Sequence, residues 1–305
     1  MYKAKALVAA LSVGSIALLT GCSGSGADAA ASSGSGHNLS IAASFYPLQY
    51  VTERIAGSRA TVSSLTPPGA EPHDLELTPK DVATIKKADL VVYLSGFQTA
   101  VDEAVSAEAG ETAVDVVSTA KLDRTVAEEG ETGTDPHFWL DPQRLAAVST
   151  QIEQRLAAVD AAGATSYAAN LATLVSDLNT LDNEFRTGLA TCANKDLVTS
   201  HQAFGYLAAR YGLTQVGIAG LSPDQEPNPA TLARVTDFVR ANKVRTIYYE
   251  TLISPAIART VASETGARTA VLDPIEGITD QSQGDDYLAI MRSNLKDLKE
   301  GQPCT

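Results

Sequence analysis

From residue 39 to the C-terminus, short apolar runs rich in β-branched residues alternate with stretches whose apolar positions recur every three or four residues. The first kind predicts strands and the second amphipathic helices. In the first part of the chain the pattern places strands at Leu39–Ser44, Thr61–Leu65, Leu90–Leu94 and Ala113–Val116, separated by helices over Leu48–Ala56, Thr78–Lys87 and Gln98–Ala107. Beyond residue 190 the same grammar returns. Strands are expected at Leu197–Thr199, Thr214–Ile218, Arg245–Tyr249 and Thr269–Leu272, with helices over Ala203–Tyr211, Pro229–Asn242, Pro255–Thr265 and Asp286–Lys299. Strand–helix alternation of this kind builds mainly parallel sheets with crossover helices, an α/β fold.

The middle of the chain breaks the pattern. Pro142–Ala161 and Thr165–Leu189 read as two long helices with no strand between them, and the second carries Leu171, Leu174, Val175, Leu178, Leu181 and Phe185 on one face. A helix of about 25 residues spans roughly 37 Å, enough to cross a two-lobed molecule. Because the chain exceeds the usual size of a single core, the expected organisation is an α/β lobe over residues 38–162, a rigid connecting helix over 163–189 and a second α/β lobe over 190–305. No repeat of the solenoid kind is present.

The N-terminus changes the picture in another way. Lys3 and Lys5 precede an uncharged stretch from Ala6 to Thr20, which ends in Leu19-Thr20-Gly21-Cys22. This is a lipoprotein signal peptide over residues 1–21, too short for the about 20 apolar residues of a membrane-spanning helix. Cleavage would leave Cys22 as a lipidated N-terminus and, by removing two lysines, take the formal charge from −13 to −15. Residues 22–37, rich in Ser, Gly and Ala, cannot bury enough apolar surface to order and read as a flexible tether. The expected location is extracytoplasmic, anchored by lipid to a bacterial cell membrane. An acidic chain without a basic run is a poor partner for nucleic acid. With Cys22 lipidated, Cys192 and Cys304 are the remaining thiols in a compartment that permits disulfides, and they are expected to pair.

Four histidines stand in the chain, three of them in unusual company. His73 lies in the proline-stiffened segment Pro67-Pro68-Gly69-Ala70-Glu71-Pro72-His73-Asp74 past a predicted strand. His137 lies in Asp135-Pro136-His137-Phe138-Trp139-Leu140-Asp141-Pro142 before a helix, and His201 follows the strand Leu197–Thr199. Open α/β sheets place ligand groups at such positions, and three imidazoles from separate loops can enclose one ion if the lobes face each other. A carboxylate is expected as fourth ligand, to offset the charge of a dication. Asp273 and Glu250 both follow strands; one is expected to bind the ion and the other to orient an imidazole N–H. His37, at the end of the tether, has no such surroundings and no role is expected for it.

The motifs together resemble the ZnuA/TroA-like metal-binding receptors of ABC importers, over essentially the whole mature chain. The segments that carry the resemblance are Ser44-Phe45-Tyr46-Pro47 with Glu53-Arg54-Ile55-Ala56-Gly57, Pro72-His73-Asp74 with Thr78-Pro79, the segment Asp135–Pro142, His201-Gln202-Ala203-Phe204-Gly205-Tyr206-Leu207, and Leu272-Asp273-Pro274. The resemblance implies two lobes joined by one long helix with the metal in the cleft, and places the ligands on His73, His137, His201 and Asp273, with Glu250 behind them. Histidine at the third position is typical of the zinc receptors of this family, glutamate of those for manganese or iron. The implied activity is binding, without catalysis, of one Zn2+ ion (Mn2+ being the less favoured cargo) by a monomer that delivers it to an ABC permease.

The chain departs from many zinc receptors of this type in one segment. Where those carry a histidine-rich loop, Ala127–Asp135 is short, acidic and free of histidine, and reads as a solvated loop. The alternatives are a manganese or iron receptor on the same fold, a zinc-dependent hydrolase with Glu250 as base, and a surface adhesin. Against the hydrolase, no His-Glu-x-x-His helix is present.

Overall fold

The structure is a computed structural model that describes residues 38–128 and 131–305. The signal peptide, Cys22, the tether and His37 therefore lie outside the described residues, as does part of the acidic segment.

The first half begins with β1 (Leu39–Ala43), α1 (Tyr46–Ala56) and β2 (Ala60–Ser64), followed by α2 (Pro79–Lys87), β3 (Leu90–Tyr93), α3 (Thr99–Glu108), β4 (Ala113–Asp115) and the single turn α4 (Val117–Ala120). Its four strands form one parallel sheet in the order β2-β1-β3-β4. The segment read as a solvated loop is instead an antiparallel hairpin of β5 (Thr125–Glu128) and β6 (Glu131–Thr134). Its Glu, Gly and Thr residues lack the apolar alternation that marks a strand in sequence, so pairing alone reveals it.

Two long helices follow, α5 (Pro142–Val159) and α6 (Ala164–Gly188). The Asp141 side chain caps α5 by accepting from the Gln143 N–H, and Pro142 sits at its first position, where a missing N–H costs nothing. The second half runs through β7 (Asp196–Thr199), α7 (Gly205–Tyr211), β8 (Thr214–Gly217), α8 (Pro229–Ala241), β9 (Thr246–Tyr249), α9 (Ala256–Thr265), β10 (Arg268–Val271) and α10 (Tyr287–Gly301). Its strands are again all parallel, in the order β10-β9-β7-β8, which is the same topology as in the first half.

Alternation along the strands decides how the halves are joined. Ile41 and Ala43 of β1 face one way and Ala42 the other; Leu90 and Val92 of β3 part from Val91 in the same manner, as the pleat requires. Ala42 and Val91 pack with Ile85, Val101 and Val105 under α2 and α3. In the second half, Val198 and Ile247 pack with Val235, Val239 and Val261 under α8 and α9. The opposite faces of both sheets meet in one cluster, where Ile41, Phe45 and Val92 share a core with Leu197, Tyr248 and Leu298 and with Leu174, Leu178 and Phe185 of α6. The two lobes are halves of one hydrophobic interior.

Polar bonds reinforce the junction. The Tyr287 hydroxyl at the start of α10 donates to the Trp139 carbonyl at 2.6 Å, and Tyr206 of α7 donates to the Asp135 carbonyl at 3.0 Å. Arg210 of α7 pairs with buried Asp182 of α6 and lies 3.3 Å from Asp141 at the head of α5. Cys192 and Cys304 form a disulfide across 112 residues, fixing the C-terminal tail beside the strand-like bridge they share. Among the described residues no helix is long and apolar enough to cross a membrane.

Candidate metal centre

Each sheet reverses its winding between two neighbouring strands, β1 and β3 in the first half and β7 and β9 in the second. Crevices open at the carboxyl ends of strands at such points. His201 follows β7 and Glu250 follows β9, so they flank the reversal in the second half. Facing them, His73 comes from the long connection between β2 and α2, and His137 follows β6 directly and begins the turn Phe138–Leu140.

His73, His137 and His201 converge, and the fourth member of the cluster is Glu276; their donor atoms all lie within 4.8 Å of one another. Oε1 of Glu276 is 2.8 Å from Nε2 of His137 and 3.5 Å from Nε2 of both His73 and His201, and the His137 and His201 nitrogens are 3.4 Å apart. Ligands about 2.0–2.1 Å from a tetrahedral zinc stand about 3.3 Å from each other. The distances from Glu276 to the three rings and between His137 and His201 are therefore close to those around a small tetrahedral ion. His137, His201 and Glu276 are at most 1 % exposed, while the side chain of His73 is 10 % exposed and forms the outer edge.

Asp273, expected as the carboxylate ligand, does not join this cluster. Its Oδ1 accepts the Ile275 N–H at 2.7 Å, and its Oδ2 accepts from the Thr251 hydroxyl at 3.1 Å. It is a turn-former: an Asp before a proline caps its own backbone two residues on, and the chain then reverses through Ile275 at φ 61° to aim Glu276 inward. Burial raises the Asp273 carboxyl to about 6. The signal for Glu276 was present as the second carboxylate of Asp-Pro-Ile-Glu, but strand-end placement and the family resemblance both favoured the first.

Two more carboxylates stand behind the rings. Nδ1 of His137 is 2.9 Å from Oδ1 of Asp135, and Nδ1 of His201 is 2.7 Å from Oε1 of Glu250. Carboxylates only accept, so each Nδ1 carries the proton and each Nε2 is directed at the centre of the cluster. Asp135 was visible in sequence only as a neighbour of His137. His73 is held differently, edge-on against the Phe97 ring at 4.8 Å, with its backbone N–H donated to Glu71.

The electrostatics of the cluster are set by burial and by the carboxylates around the rings. Burial pushes His137 and His201 toward neutrality, but Asp135 and Glu276 around the first and Glu250 and Glu276 around the second outweigh it, so both rings hold protons above the ordinary histidine range. Burial would raise Glu276, and the three imidazoles overcome it and hold the carboxyl well below its usual value. For His73 burial wins and the ring is depressed. Burial, then the charge of Glu276, lifts Glu71 to about 8. Protons on His137 and His201 thus balance a carboxylate cluster that a dication would balance better.

Two lobes on a shared core, gripping three imidazoles and a carboxylate, define a solute-binding receptor whose solute is a metal ion. A family model described as ZnuA, the periplasmic zinc-uptake complex component A, matches residues 41–301, and the chain belongs to that family. It is 37 % identical over 298 residues to the high-affinity zinc uptake system protein ZnuA of Bacillus subtilis, covering 93 % of each chain. The zinc-binding lipoprotein AdcA of Streptococcus pneumoniae is 36 % identical, and the match spans 55 % of that longer protein. The Zn(II)-bound ZnuA-like domain of AdcA superposes with a TM-score of 0.74 at 37 % identity, over 87 % of this chain and 99 % of the domain. The laminin-binding protein Lbp of Streptococcus pyogenes superposes with a TM-score of 0.77 at 31 % identity, over 87 % of this chain and 99 % of that one.

Proposed function

We propose that this chain is an extracytoplasmic receptor that captures one zinc ion and hands it to an ABC import permease. The observation that carries the reading is the set of three Nε2 atoms and one carboxylate oxygen at tetrahedral spacing, in a buried site between the lobes. His73, His137, His201 and Glu276 are its ligands, with Asp135 and Glu250 fixing two of the rings. Imidazole-rich donors favour zinc over manganese, which prefers an oxygen shell of higher coordination number. Four protein ligands leave no open position for an activated water, so the site binds and does not catalyse.

Residues 1–21 act as a lipoprotein signal, Cys22 bears the lipid and residues 22–37 tether a monomer to the outer face of the membrane. The shared core and the bonds from Tyr287, Tyr206 and Arg210 support an opening limited to loops around the site.

The test is metal content and competition on a soluble form lacking residues 1–37. One tightly bound zinc that manganese does not displace, lost in Glu276→Ala and weakened in His201→Glu, is the expected result. Weak zinc binding in the unaltered protein, or binding indifferent to both changes, would sink the reading. For the anchor, radiolabelled fatty acid should enter the full-length protein and not Cys22→Ser.

A further inference from the structure

Asp135, which holds the Nδ1–H of His137, is itself supported from the other half of the molecule. Its Oδ1 accepts both the backbone N–H and the Nδ1–H of His137 at 2.9 Å. Its backbone N–H is donated to the Arg124 carbonyl at 3.0 Å, and its carbonyl accepts the Tyr206 hydroxyl at 3.0 Å. The residue is fully buried, and its second oxygen, Oδ2, has no hydrogen-bond partner among the described residues. That oxygen lies against Gly205, the first residue of α7. A Cβ placed on Gly205 would stand 2.5 Å from it and 2.8 Å from Nε of Arg124, closer than the 3.0 Å that real Cβ atoms essentially never breach.

The backbone supplies no other reason for glycine at this position. Its φ lies outside the left-handed region, and alanine is the better helix former. What glycine supplies is space for a close approach. If a methyl group filled that space, three groups could yield. Arg124 is exposed and its side chain can swing into solvent, but that does not relieve the contact with Oδ2. The carboxylate can turn Oδ2 away only by rotating Oδ1 off the two donors of His137. Helix α7 can withdraw only by pulling Tyr206 from the Asp135 carbonyl and Leu207 and Ala208 from the shared core. Both of the last two movements loosen the seat of His137.

We infer that Gly205 is a positioning residue for the metal centre: its missing side chain lets the second half close over Asp135 and keep that carboxylate against the His137 ring. The inference rests on the zinc-receptor reading and adds to it a contact through which one lobe orients a ligand carried by the other. Gly205 is outside the donor set, so its effect on zinc runs through Asp135.

The test is a double-substitution cycle in the full-length protein, with Gly205→Ala, Asp135→Ala and the two combined. Zinc affinity is measured by chelator competition, and the Nδ1–H resonance of His137 is followed by NMR with and without zinc. Gly205→Ala is expected to weaken zinc binding by about 10-fold to 100-fold, the range of changes behind a ligand, and to move the ring proton upfield as its bond to Asp135 lengthens. With Asp135→Ala already in place the added methyl meets no carboxylate, and the same change is expected to cost less than about twofold, since the two sites act through one contact. Parent-like affinity and ring proton in Gly205→Ala, or an equal loss in both backgrounds, would overturn the inference. Where Gly205→Ala by itself fails to unfold cooperatively, adding Asp135→Ala is expected to restore the transition, and failure to restore it would also overturn the inference. A parent without tight zinc binding would overturn the receptor reading instead, while the ring proton of the metal-free protein would still report whether Gly205 holds the seat.

Discussion

The two halves share one strand order, yet they hold their ligands in different ways. The second half seats His201 against Glu250 and mounts Glu276 on a turn braced from α10, from β9 and from the opposite lobe. The first half gives His137 a comparable seat on Asp135 but leaves His73 on a proline-rich connection, at the exposed edge, with Gln98 reaching from α3 to the Pro72 carbonyl. Three donors belong to almost fully buried side chains, and the fourth to a ring that is 10 % exposed with its Nε2 buried like the others. The site is a socket of three braced donors completed by one less firmly held imidazole at its edge.

Removing one donor of each kind separates the two modes of attachment. His137→Ala should abolish tight zinc binding, lowering affinity by more than the about 100-fold that marks the upper end of outer-shell changes. His73→Ala should cost less, and its loss should appear mainly as faster zinc release, read by stopped-flow with a chelator. Equal effects on affinity and release would erase the distinction between socket and closure.

Next in size are the carboxylates behind the rings. Asp135→Asn and Glu250→Gln each keep the shape and lose the charge that orients an Nδ1–H, and each is expected to weaken zinc binding by about 10-fold to 100-fold. An unchanged affinity in both would mean that packing alone orients the imidazoles.

A smaller and more diagnostic effect concerns pH. Metal needs a bare Nε2, and in the free protein His137 and His201 hold protons above the ordinary histidine value of 6.5, so zinc must displace protons and its apparent affinity should climb as pH rises through those elevated values. Calorimetry in buffers of different ionisation enthalpy should show net proton release at neutral pH. The stability of the metal-free protein runs the other way. The histidine contribution is fully present below about 6.5 and is lost as pH rises through the folded-state values; the Glu276 contribution is present above about 4.5 and is lost as pH falls through its depressed value. The contributions of His137, His201 and Glu276 should therefore be greatest between about pH 4.5 and 6.5, opposed there by the depressed His73, as thermal melts across pH of the parent and of His73→Ala would reveal. The smallest expected effect on zinc is that of the disulfide: removing Cys192 and Cys304 should lower stability by roughly 2–4 kcal/mol and leave zinc affinity unchanged, because the bridge ties the tail and not the site.

Much of this was legible in the chain. Short runs rich in β-branched residues located the eight strands of the two sheets, and the apolar stripe from Leu171 to Phe185 marked the long helix, since burial on one face leaves its period in the sequence. The three histidines stood out because each follows a strand or opens a helix beside a proline. Two features escaped for physical reasons. The hairpin at Thr125–Thr134 buries no alternating apolar face that could announce it. Glu276 follows a positive φ at Ile275, and no local preference of isoleucine predicts that conformation; Trp139 and Asn294, distant in sequence, hydrogen-bond the two residues before it.

Trp139 has one more consequence. It is the chain's only tryptophan, it is fully buried, and its ring centroid lies 5.1 Å from that of His137. An imidazolium that close quenches indole emission, and zinc replaces its Nε2 proton with a different perturbation. The receptor thus carries a single intrinsic fluorophore beside one of the imidazoles of its metal site, so that occupancy can be followed as light emitted by the unlabelled protein, with no second tryptophan to dilute the signal.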